Sequence, residues 1–151
     1  MSESKPKPIL LALSTFRQSD AAVNLAIEKA KPNRDLVIVY VVDVNLARYL
    51  IGVDIAPQIK QKCEADLLAD HKEQGRKNLE AIEQLARQQG LQTRSYLTVG
   101  RFALECLPLI AKENPELVVT TRSKRPAWVK RMFGSPVDYL IAHAGRPVIE
   151  A

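Results

Sequence analysis

The residues best suited to chemistry lie between Glu116 and Ala151. Leu117, Val118 and Val119 form an apolar strand core, and behind it Arg122, Lys124, Arg125, Lys130 and Arg131 crowd the segment 122–131. Gly134, Ser135, Pro136, Val137 and Asp138 then read as a helix start. Ser135 stands at the cap, Pro136 at the first helical position, and Asp138 reaches back in the manner of a capping box. A helix start offers free backbone N–H groups and the positive end of the helix dipole, the arrangement on which phosphates settle. Strand, cationic segment and helix start together describe an anion site, while the same residues read as an ordinary solvated surface and a capped helix that binds nothing.

Other constellations are weaker. Cys63 and Cys106 both fall in predicted helices, with no CxxC and no histidine at ligand spacing, which is a reduced, cytoplasmic pattern rather than a zinc site. His71 sits on a predicted helix without a second ligand one turn away and reads as a solvated surface residue. Asp43 ends an apolar run and is either a Mg²⁺ ligand or a structural cap. No Walker lysine context, no Ser/His/Asp grouping and no paired carboxylates accompany it, so the sequence does not read as an enzyme.

The elements that must position these residues follow from periodicity. Ile9 to Leu13 and Leu36 to Val42 are continuous apolar runs of the kind found in strands covered on both faces. A helix begins at Ser19-Asp20, with Ala22, Leu25, Ala26 and Ala30 on one face, and closes at Pro32-Asn33. A long helix spans Ile59 to Gln89, with Gly75, Leu79, Ile82 and Ala86 inward and Gly90 at its end. Gln92 to Val99 forms a third strand and Gly100 its turn. Arg101 to Glu113 is helical with Ala103, Leu107, Ile110 and Ala111 inward, and Pro108 predicts a kink or a late start. Glu116 to Thr120 is the fourth strand, Ser135 to His143 the last helix, and Arg146 to Glu150 the last strand. Residues 45–57 read as a short helix or a lid.

This βαβαβαβαβ order specifies an α/β fold, an open parallel sheet with helices on both faces and right-handed crossovers. Ligands of such sheets sit past the carboxyl ends of the strands at the switch point. Here that places Ser14, Val41 to Asp43, Gly100 and the residues from Thr121 onward around one crevice.

Composition sets the limits. The 151 residues, 46% of them hydrophobic, suffice for one core, so one domain over 1–151 is expected, with 1–8 as a frayed leader. No apolar h-region precedes the fold and the longest apolar run is too short to span a bilayer, which predicts a soluble, cytoplasmic protein with no membrane partner. The net charge of +5 favours anionic partners. Aromatics are too few, with only Tyr96 or Trp128 near a candidate surface, to build a stacking platform, which argues against nucleic acid.

The opening strand ILLALS, the second strand VIVYVVD, the TVG turn and the closing GS-helix-RPVI pattern resemble the universal stress protein family along essentially the whole chain. The resemblance implies a Rossmann-like five-stranded sheet of order 3-2-1-4-5, a role in the stress response, and a homodimer formed through the C-terminal strand. An apolar edge at Pro147 to Ile149 agrees with the last of these. The family's nucleotide-binding branch carries a G-2x-G-9x-G-(S/T) motif for ATP phosphates and ribose. Its spacing falls here on Thr121, Lys124, Gly134 and Ser135, so the last Gly-Ser pair is kept and both earlier glycines are replaced. Glycine there permits a close backbone approach or a positive φ, which a β-branched threonine resists. The resemblance also puts Ser14 where nucleotide-binding relatives carry an Asp, and Val41 where a valine backbone reads adenine. The nucleotide-site residues it implies are Ser14, Val41, Thr121, Arg122, Lys124, Gly134 and Ser135, with ATP as ligand. Three functions compete: a dimeric module binding a nucleotide or other anion, a protein-interaction module using the 122–131 segment with Trp128 and Phe133, and a nucleotide hydrolase relying on Asp43.

Overall fold

A computed structural model describes residues 6–15, 19–43, 57–121 and 136–151. Its elements are β1 (Ile9–Ser14), α1 (Asp20–Ala30), β2 (Leu36–Asp43), α2 (Pro57–Gln88), β3 (Thr93–Gly100), α3 (Phe102–Glu113), β4 (Leu117–Thr120), α4 (Pro136–His143) and β5 (Val148–Glu150). The strands form one parallel sheet of order β3-β2-β1-β4-β5. The expected Rossmann-like architecture and strand order are therefore those observed. The 45–57 segment read as a helix or lid lies, up to residue 56, outside the described residues.

The two central runs are apolar at every position because both faces of the sheet are covered. Ile9, Leu11 and Leu13 of β1 join Leu36, Ile38, Tyr40 and Val42 of β2 in a core under α1 and α2. The alternate residues Leu10 and Ala12 join Val37, Val39 and Val41 in a second core under α3 and α4. The period-two alternation of a strand thus splits each run between two cores. Each fully buried aliphatic side chain contributes about 1.5–3 kcal/mol, which makes this pair of strands the centre of stability.

The helices start and stop where their residues require. Ser19 caps α1 by accepting a hydrogen bond from the Ala22 amide at 3.3 Å. Asn114 ends α3 in the left-handed region at φ 51°, a conformation asparagine tolerates better than most residues. Pro108 does not delay α3, which begins at Phe102 and carries the proline inside it. The buried face of α3 is Phe102, Ala103, Cys106 and Ile110, with Leu107 partly buried, whereas Ala111 is exposed. That corrects the inward placement of Ala111: the core stripe tilts toward Phe102 and Cys106, and Ala111 falls just past its edge. The last strand is shorter than expected and begins at Val148, because Arg146 is used elsewhere. Its guanidinium donates to the carbonyls of Ala144 (3.0 Å), Ile110 (3.2 Å) and Pro115 (3.4 Å), tying the ends of α3 and α4 together.

On α2, Gly75 is buried, and a Cβ there would stand 2.7 Å from Cε1 of Tyr40. The missing side chain lets this helix approach the sheet at its most voluminous buried residue. At the amino ends of the strands, Lys7 and Pro8, placed in the leader by sequence, are held through their carbonyls by Arg34 and by the Glu116 amide.

Candidate functional site at the carboxyl ends of β1, β2 and β4

The site is defined by where ladders end. The β1–β2 ladder runs to the pair Ser14 and Val41, and the β2–β3 ladder to Asp43 and Gly100. The β1–β4 ladder stops two rungs earlier, at Ala12 and Thr120. Strand β1 therefore stays paired with β2 for two residues after its pairing with β4 has ended, and Ser14 and Thr121 follow that last shared rung at the switch point of the strand order.

Hydrogen bonds fix the rim. The Thr120 hydroxyl donates to the Ala12 carbonyl at 2.9 Å, within the last rung before the strands part. The Thr15 amide donates to the Val41 carbonyl at 3.2 Å, and the Asp43 amide to the Thr15 hydroxyl at 3.4 Å, so the β1 tip is fastened to β2. Sequence reasoning overlooked Thr120 and Thr15; the signal was a pair of hydroxyl residues ending two otherwise apolar runs.

Of the expected site residues, Ser14, Val41 and Thr121 are brought together at these tips, and all three are buried, Ser14 and Thr121 at 3% exposure each. The walls they supply are neutral. Arg122, Lys124, Gly134 and Ser135 lie outside the described residues, as do Arg125, Trp128, Lys130, Arg131 and Phe133. Pro136 is the first residue of α4, the position expected for it, and Asp138 falls in the first turn. Beside the site, the Glu105 carboxylate lies over Gly100, where a Cβ would collide with it, so the turn leaving β3 is closed by the first turn of α3.

The other charged cluster lies at the sheet edge. Arg94 binds Glu113 at 2.7 Å and Asp35 at 2.6 Å, and the Tyr96 hydroxyl donates to Glu113. Burial pushes the Glu113 carboxyl up, but the hydrogen bonds from Arg94 and Tyr96 outweigh it and hold the group below the usual carboxylate range. A cavity of about 270 Å³ opens at the opposite, amino end of the strands beside Pro32, Asn33, Leu91 and Gln92. Its charged wall residues, Arg34 and Asp35, are already paired with Glu116 and Arg94, so it has little to offer an anion. Cys106 is buried under α3, and that burial pushes its thiol well above the ordinary range, away from nucleophilic chemistry. Among the described residues no helix is long and apolar enough to cross a membrane.

A parallel sheet of this order, with helices on both faces, defines an open, doubly wound α/β fold of the Rossmann-like class. The sequence model of the universal stress protein family matches residues 5–149, and the chain belongs to that family. No curated protein sequence matches it significantly. Among solved structures, the hypothetical protein MJ0577 is similar at 14% identity and TM-score 0.73, over 96% of this chain and 95% of that one. The universal stress protein UspA from Lactobacillus plantarum is similar at 18% identity and TM-score 0.69, over 97% and 99%. A universal stress protein in complex with cAMP is similar at 15% identity and TM-score 0.55, over 98% of each chain.

Proposed function

We propose that this universal stress protein is a single-domain cytoplasmic binding module of the stress response. It takes a nucleotide such as ATP, or another anion, at the carboxyl ends of β1 and β4, and pairs as a homodimer through β5. The observation that carries the reading is the early end of the β1–β4 ladder, which stops two rungs short of the β1–β2 ladder at the strand tips that carry Ser14 and Thr121. The Val41 carbonyl, which already accepts from the Thr15 amide, keeps a second lone pair for a base; Ser14 and Thr121 supply neutral hydrogen-bonding walls, and Arg122, Lys124, Gly134 and Ser135 supply the phosphate end. The complex of a similar fold with cAMP adds support. Binding without turnover is the expected behaviour, since the hydrolase alternative rests on Asp43 alone.

Calorimetric titration with ATP, ADP, AMP and cAMP at modest salt tests this. Heat that saturates for at least one nucleotide is expected, and neither heat nor a thermal shift at millimolar nucleotide rejects it. Steady nucleotide turnover lost in Asp43→Ala would favour the hydrolase.

One observation favours a second reading. Ser14 and Thr121 are buried to 3% exposure, so the described walls offer a ligand little open polar surface. In that reading the crevice is closed and the basic 122–131 segment contacts an acidic protein partner. Trp128 fluorescence that answers to such a partner and never to nucleotides would decide for it.

A further inference from the structure

The sheet has two edges, and they are unequal. Strand β5 is three residues long, whereas β3 is eight, and among the described residues no strand pairs with the outer side of β3. Short length is one of the means by which proteins blunt an edge, and β3 does not use it. Leu97, at the middle of this edge, is 39% exposed, an apolar side chain half covered by α2 beside Gly75.

We infer that β3 is a second self-association surface, on which two copies of the chain pair their β3 strands antiparallel about a two-fold axis at Leu97. The axis position is argued from what it brings together. With Leu97 opposite its own copy, Tyr96 lies opposite the partner's Thr98, Ser95 opposite the partner's Val99, and Arg94 opposite the partner's Gly100. A carboxylate already sits over Gly100, that of Glu105. Arg94 has five N–H groups, of which Glu113 and Asp35 occupy three. The remaining two are free to meet the partner's Glu105. The two-fold repeats this pair, so one register unites both arginines with carboxylates and buries both Leu97 side chains.

Shifting the pairing by one residue sends Leu97 and Arg94 against side chains of the opposite face, so the register is specified. Arg94 is thus a guard against other pairings and an anchor in this one. The contact is isologous and lies on the edge opposite β5. If both edges pair, the chain builds an open row of sheets rather than a closed dimer.

The test separates this contact from the one proposed at β5. In Ile149→Lys, which places a charge on the β5 edge, sedimentation at rising concentration is expected to show association beyond the monomer. Adding Leu97→Arg is expected to abolish it. Cysteine pairing reads the register directly in a Cys63→Ser background. Leu97→Cys meets its own copy with Cα atoms about 4.5–5.5 Å apart, inside the ~4.4–6.8 Å span of disulfides. Ser95→Cys lies about four residues, or ~14 Å, from its own copy. Mild oxidation should therefore cross-link Leu97→Cys and leave Ser95→Cys monomeric. A monomeric Ile149→Lys protein with no Leu97→Cys cross-link overturns the inference, as does cross-linking of Ser95→Cys to the same extent.

Discussion

The Thr120 hydroxyl donates to the Ala12 carbonyl at 2.9 Å, fully buried, in the last rung before β4 and β1 separate. The rung at which the β1–β4 ladder ends is thus also where a side chain adds a hydrogen bond across it. Thr120→Val keeps the shape and removes the donor. A loss of about 1 kcal/mol is expected, the net worth of one intramolecular hydrogen bond. Urea unfolding should register it as a lower midpoint with an unchanged slope. Thr120→Ser, which keeps the hydroxyl, should recover part of the loss.

Gly75 gives a stability prediction of unusual sign for an exchange that improves helix propensity. Alanine is favoured over glycine in a helix by about 1 kcal/mol. Here the added Cβ would lie 2.7 and 2.8 Å from ring carbons of Tyr40 and 3.1 Å from Cδ1 of Leu97. Tyr40 is 1% exposed and packed between β2 and α2, so its ring has nowhere to go. Overpacking of this kind costs about 1–3 kcal/mol. Gly75→Ala should therefore be net destabilising, whereas Gln74→Ala, on the exposed side of the same helix, should be close to neutral in the same melt.

These two residues mark how far the sequence could be read. The runs at 9–13 and 36–42 gave β1 and β2 because burial on both faces leaves no polar position, and the stripe Gly75, Leu79, Ile82, Ala86 gave the inner face of α2. What periodicity could not supply was anything set by contacts distant in the chain. Glycine at 75 reads locally as just one more inward position, and only its distance from Tyr40 explains why that position has no side chain. Arg146 reads as part of a strand until its carbonyl partners on α3 are known. Ala111 kept the helical spacing yet fell outside the core, since spacing gives a face and not its limits. At the site, the alternating βα order sufficed to put Ser14, Val41 and Thr121 at adjoining strand tips. The two-rung offset between the ladders there depends on pairing register, which no local pattern encodes.

Acid should weaken the protein through Glu113. Burial raises its carboxyl, the hydrogen bonds from Arg94 and Tyr96 lower it further, and the folded value lies below the unfolded one. Such a group stabilises fully above the ordinary carboxylate range near ~4.3 and loses its contribution as pH falls through the folded value. The Tyr96 phenol is raised, first by its bond to Glu113 and then by burial. Its share is complete below the ordinary tyrosine range and disappears only as pH rises through its folded value. Glu113→Gln should cost about 1–3 kcal/mol at neutral pH, as for a hydrogen-bonded charge. The gap to the unsubstituted protein should stay level through neutrality and close in acid, measured as denaturant midpoints across pH. A gap of constant size down to the acid transition would show that the charge of Glu113 is not what counts.

The proposed nucleotide site divides into a neutral part and a charged part, and salt can tell them apart. The described walls, Ser14, Val41 and Thr121, carry no charge, so attraction for phosphates must come from Arg122 and Lys124 and from the start of α4. Attraction between exposed charges is screened over about 8–10 Å at physiological salt, whereas a hydrogen bond at a buried strand tip is screened far less. Lys124→Ala should weaken ATP by about ten-fold, equivalent to ~1.4 kcal/mol, and flatten the dependence of affinity on NaCl. Ser14→Ala should lower affinity for ATP and for AMP alike, by up to the ~1 kcal/mol of one hydrogen bond, and leave the salt dependence of each nucleotide as it was. Both outcomes are read from titrations at two salt concentrations. If Lys124→Ala changed AMP and ATP equally and left the salt dependence intact, the lysine would have no part in holding phosphate, and the 122–131 segment would belong to a protein partner instead.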